Sequence, residues 1–80
     1  MDTEYDFIKF LIFSNGIDEV LDGLKDFSSD YSELQLSNGK VVKLQAIIRN
    51  IDNWRKSGKT HFAIMDELII RYCPMLEYYM

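Results

Sequence analysis

The stretch YSELQLSNGKVVKLQ, residues 31–45, decides the fold class. Leu34 and Leu36 alternate with Gln35 and Ser37, Asn38-Gly39 is the strongest two-residue hairpin signal, and Val41, Val42 and Leu44 supply an apolar return strand. The same residues also carry a helical spacing, because Val41, Leu44, Ile48 and Ile51 follow steps of three and four. Lys40 would oppose the dipole at the start of such a helix, and adjacent valines favour extended backbone. The hairpin reading therefore prevails, near residues 33–44, and gives a helix-dominated α+β fold; the alternative is an all-α bundle. An isolated hairpin is marginal in water, so this one must lean on helices.

Upstream, Thr3 and Asp6 resemble a capping box, and Phe7, Ile8, Phe10, Leu11 and Ile12 follow at once, which predicts a helix over residues 4–14 ended by Asn15-Gly16. The run from Phe7 to Phe13 is apolar enough to be read as a strand as well. Ile17, Val20, Leu21, Leu24 and Phe27 then trace one helical stripe, predicting a helix over residues 17–27 closed by Ser28, Ser29 and Asp30. Gly23 weakens it by about 1 kcal/mol relative to alanine, or permits close packing.

Downstream, residues 45–56 read as a helix with Ile47, Ile48, Ile51 and Trp54 inward and Arg49, Asn50, Asn53 and Lys56 outward. Ser57-Gly58-Lys59 is a short connector, and Thr60 is the expected N-cap of a final helix from His61 to Cys73. Phe62, Met65, Ile69 and Tyr72 form one stripe along it, and Ile64 and Leu68 a second row beside the first. The span from Phe62 to Tyr72 is expected in the core, with the other helices packed around it. Pro74 bends or stops this helix, leaving Leu76, Tyr78 and Tyr79 as apolar surface not accounted for.

Eighty residues make one small domain, 1–80, close to the lower limit for an independent core. Hydrophobic residues are 48% of the chain, and Trp, Tyr and Phe are 14%, more than so small an interior can hold. The surplus points to an interface with another chain or with a second copy. With Cys73 alone, an intramolecular disulfide and a four-cysteine metal site are excluded, and a reducing cytoplasm is the expected location. The acidic start Met1-Asp2-Thr3-Glu4 is unlike a signal peptide, and no segment has the length to span a bilayer, so no membrane role is expected.

The net charge of −4 is unevenly spread: residues 1–33 carry −7, residues 34–61 carry +5 and residues 62–80 carry −2. Asp18, Asp22 and Asp26 form an acidic ridge suited to a basic partner, though such ridges are most often solvated faces. Lys40, Lys43, Arg49, Arg55, Lys56 and Lys59, with Trp54 among them, are the nucleic-acid candidates. The two last helices imitate a helix-turn-helix. The second one, however, offers Phe62, Ala63 and Ile64 and then Asp66 and Glu67, where polar base-reading side chains are needed.

Catalytic signatures are weak. Gly58-Lys59-Thr60 ends like a phosphate-binding loop, yet its first glycine would have to be Asn53. His61 and Cys73 are too far apart on one helix to share a proton. The expectation is therefore a non-enzymatic protein-interaction module without cofactor or metal, a small acidic cytosolic protein. It binds and modulates, inhibition included, a larger protein or associates with itself. Leu76, Tyr78, Tyr79, Asp18, Asp22 and Asp26 are its partner-binding candidates. The alternative is nucleic-acid binding through the basic segment 40–59, using Lys43, Arg49, Arg55, Lys56 and Lys59.

Overall fold

The structure, a computed structural model, describes residues 4–74. Thr3 of the expected capping box and Leu76, Tyr78 and Tyr79 of the tail lie outside the described residues. The chain runs α1 (Glu4–Phe13), α2 (Ile17–Asp30), β1 (Glu33–Gln35), β2 (Val41–Lys43), α3 (Leu44–Lys56) and α4 (His61–Tyr72). It is helix-dominated α+β, and residues 7–13 are helical rather than extended.

β1 and β2 pair antiparallel, Glu33 with Lys43, Leu34 with Val42 and Gln35 with Val41. Their connection is longer than the two-residue turn that Asn38-Gly39 suggests. The Leu36 amide donates to the Lys40 carbonyl at 2.8 Å and the Gly39 amide to the Leu36 carbonyl at 3.1 Å, so Ser37, Asn38 and Gly39 form a three-residue loop. A two-residue type I′ turn needs positive φ at both central positions, and here only Gly39 has one, at 89°. Asn38 instead accepts the Lys40 amide on its side-chain oxygen at 3.0 Å.

This register buries Leu34 and Leu36 and leaves Val41 exposed. On a helix Val41 would share a face with Leu44 and Ile48, both buried, so its exposure separates strand from helix. The ladder continues into α3, where the Leu44 amide donates to the Ser32 carbonyl at 3.0 Å. Leu44, expected to complete the return strand, instead opens α3, and β2 ends at Lys43.

α2 continues to Asp30, past the serines expected to close it. Ser28 and Ser29 donate their hydroxyls to the Lys25 and Asp26 carbonyls at 2.8 and 2.6 Å, a back-bonding that lets serine stay helical near an exposed end. Gly16 makes the corner before α2 with φ 138° and ψ 175°, a region essentially reserved for glycine.

α2 and α3 share the most extensive helix–helix contact, and α4 packs on both. α1 meets α4 through Phe7 and Tyr72, whose ring centroids are 6.4 Å apart edge to face. All three other helices therefore contact α4. Asn50, expected outward, is half-buried instead: its Nδ2 donates to the Tyr72 hydroxyl at 2.6 Å, tying α3 to the end of α4.

α4 brings the main correction. Its core row is Ile64, Leu68 and Tyr72, whereas Phe62 is 79% exposed and Met65 and Ile69 are half-buried. Apolar residues occupy two adjacent rows of this helix, so spacing alone fits either one inward. Packing against α2 and α3 selects the second row.

Gly23 allows close packing, as one of its two readings holds. Phe10 lies over it and meets Phe27 edge to face at 5.9 Å. A Cβ at Gly23 would fall 2.5 Å from Phe10 Cε1. Gly23→Ala should therefore destabilise by about 1 kcal/mol, because overpacking of about 1–3 kcal/mol outweighs the helix-propensity gain of about 1 kcal/mol. Urea denaturation that showed a more stable variant would contradict this packing.

Candidate interaction surface

α1 and α4 are antiparallel neighbours. Phe7 of α1 meets Tyr72 edge to face near the end of α4, while Gly16, just beyond α1, lies beside His61 at the start of α4. Along their seam Ile8, Leu11, Ile12, Met65, Ile69 and Cys73 line a shallow groove of about 120 Å³ with no charged wall. Ile12 is 70% exposed; Tyr5, 60% exposed and seven residues before Ile12, and Phe62, seven before Ile69, share those helix faces by spacing and so prolong the groove into an apolar strip. Half of this strip is the stripe Phe62–Met65–Ile69 that spacing had assigned to the core. The α1 half is not legible in the sequence, because Tyr5 and Ile12 lie in a run where most residues are apolar.

The acidic ridge of α2 is exposed, but its first member is engaged. Arg55 follows Ile48 by seven residues and Ile51 by four, so it stands at the end of the buried face of α3 and reaches across to α2. Its Nη1 lies 2.8 Å from Asp18 Oδ1. Both partners are solvent-accessible, so this bridge contributes no more than about 1 kcal/mol. Asp22 and Asp26 have no ion pair among the described residues.

The basic residues are distributed over several elements. Lys40 and Lys43 sit on the hairpin, Arg49 and Lys56 flank Asp52 on the outer face of α3, and Lys59 lies in the connector. Trp54 packs half-buried against the core, and the Arg71 guanidinium covers its ring at 5.5 Å. Both contacts reduce the ring surface open to base stacking. Arg71 Nε also donates to Glu67 Oε2 at 2.8 Å, and that hydrogen bond holds the Glu67 carboxyl below its ordinary range, with Lys59 adding a smaller pull.

Two polar recesses complete the surface. One, of about 440 Å³, lies where the corner before α2 faces the α3–α4 connector and is lined by Asn15, Gly16, Asp18, Glu19, Arg55, Lys59 and His61 among others. Two of its charged groups hold each other, Asp18 and Arg55, and Glu19 Oε2 accepts the Asn15 backbone amide at 2.8 Å. His61 stands edge to face with Phe62, centroids 5.5 Å apart, with no nucleophile in this recess to serve. The other recess, of about 540 Å³, separates the hairpin loop from Ile70, Arg71, Tyr72 and Pro74.

Glu4 was missed altogether by sequence reasoning. It is 2% exposed, and its carboxylate accepts the Ser37 amide at 3.1 Å and the Ser37 hydroxyl at 3.2 Å. The start of α1 is thereby pinned to the hairpin loop, across 33 residues of sequence.

Cys73 is buried, and desolvation, with the nearby Glu4 carboxylate adding to it, pushes its thiol from 9.0 up to about 12. A neutral thiol at ordinary pH is neither nucleophile nor metal ligand. Native protein at pH 8 should resist alkylation by iodoacetamide, with full labelling only in denaturant. The raised folded pKa also makes stability fall with pH: the unfolded thiol ionises near 9.0 while the buried one keeps its proton to about 12. That loss should appear in urea titrations between these two values and vanish in Cys73→Ala.

Among the described residues, no cluster of His, Cys, Asp and Glu could hold a metal ion, and no helix is long and apolar enough to cross a membrane. Comparison with protein families, curated proteins and solved structures finds no match for this chain.

Proposed function

We propose that this chain is a non-enzymatic protein-interaction module whose docking surface is the α1–α4 strip. The observation that carries the reading is Phe62, an aromatic ring on a core-forming helix that is nonetheless 79% exposed and stands three and seven residues before Met65 and Ile69, which line the groove with Ile12. A contiguous apolar strip of this kind on a small domain supports binding, since a partner that covers it removes apolar surface from water. Asp22 and Asp26 add a negative field at α2, which would speed encounter with a cationic surface more than it would tighten binding. The dispersed cations and the covered Trp54 weigh against the nucleic-acid alternative.

The test compares wild type with Ile12→Glu and Phe62→Glu, both exposed positions whose replacement leaves the core intact. Affinity capture and sedimentation should show an associated chain with wild type and its loss with either variant. Equal association for all three, or none for any, would sink the reading.

A further inference from the structure

We infer that the strip takes a second copy of this chain, paired across a twofold axis running along the α1–α4 seam. This rests on the strip being the docking surface and names its occupant. Two observations carry it, one of area and one of charge.

An aromatic side chain contributes about 150–250 Å². Tyr5, Ile12 and Phe62, each 60–79% exposed, with half-buried Met65 and Ile69, therefore make a patch of roughly 500 Å². Specific interfaces cover about 800 Å² per partner, and weak ones less than about 600 Å². The patch with its polar rim reaches the range of a reversible dimer.

The two rims carry opposite charges. On α1, Lys9 follows Tyr5 by four residues and precedes Ile12 by three; on α4, Asp66 follows Phe62 by four and precedes Ile69 by three. Each therefore borders the strip on its own helix, and both are exposed. Neither is in an ion pair among the described residues; the Lys9 ammonium lies 5.4 Å from the centroid of the Tyr5 ring. A half-turn about the seam lays α1 of one copy over α4 of the other and sets each Lys9 against Asp66 of the other copy, twice per dimer. A half-turn about the perpendicular in-plane axis lays α1 on α1, bringing lysine toward lysine and aspartate toward aspartate. Charge selects the first arrangement.

Sedimentation equilibrium of the full chain, from about 1 µM to about 1 mM, tests this across the range in which weak specific complexes dissociate. Wild type should dimerise reversibly. Lys9→Glu and Asp66→Lys should each weaken the dimer about tenfold or more, since each sets like charges together at two places, and the double variant should recover to within about threefold of wild type. Phe62→Glu should be monomeric, with unchanged circular dichroism showing that it folds. A wild-type monomer throughout overturns the proposal, as does a dimer indifferent to both reversals or a double variant without recovery. A monomer that still captures another protein, and loses it on Phe62→Glu, overturns self-pairing alone; capture indifferent to Phe62→Glu overturns the docking surface too.

Discussion

Leu68→Ala should cost about 2–5 kcal/mol, whereas Phe62→Ala, on the same helix and with a larger side chain removed, should stay within about 0.5 kcal/mol of wild type. Leu68 is 0% exposed and sits mid-helix between Ile64 and Tyr72 in the row that α2 and α3 cover. Its truncation removes buried methyl groups and leaves a cavity that neighbours from several elements would have to shift together to fill. Phe62 is in the first turn of α4, mostly in water already, so truncating its ring gives up little burial on folding. In a domain this small each kcal/mol moves the melting temperature by about 4–8 °C, so thermal denaturation at low micromolar concentration separates the two readily. Comparable losses for both would return the Phe62 stripe to the core and remove the strip on which the proposed function depends.

Glu4→Ala should lower stability by about 1–3 kcal/mol, with Glu4→Gln falling between it and wild type. The cost arises because charge-assisted hydrogen bonds from the Ser37 amide and hydroxyl to a buried carboxylate are lost, and the exposed Ser37 donors turn to water instead. The glutamine variant keeps one acceptor oxygen and so part of the bonding. Hydrogen exchange gives the sharper readout: protection of the Ser37 amide should fall in Glu4→Ala by more than that of amides in α3. Uniform loss across the protein would mean that Glu4 serves only global stability and does not hold the hairpin loop to α1.

The legible parts of this fold were local. Residues 17–24 carry buried side chains at helical spacing opposite a charged face, and α2 forms where that pattern lies. Asn38-Gly39 between Leu36 and Val41 specified a reversal of the chain, and a hairpin forms there. The turn geometry was less legible, since whether Asn38 adopts a positive φ depends on how Leu34 and Leu36 are drawn into the core. The candidate site divided the same way. Asp18 and Arg55 were both readable as surface charges, but nothing in a sequence separation of 37 residues indicated that they meet.

Side-chain spacing together with turn and cap residues favoured four helices and a hairpin over the all-α alternative, and composition by itself gave an apolar surplus and alternating acidic and basic segments. These follow from short-range rules: side-chain spacing, turn residues and charge order. The tertiary structure decided which of two apolar rows on α4 faces inward, and therefore where the surplus emerges. A helix with two apolar rows gains nearly the same free energy by burying either, and only the shape of the facing helices breaks the tie. Here α2 and α3 accept Ile64, Leu68 and Tyr72, which sends Phe62 outward to join Ile12 along the seam with α1.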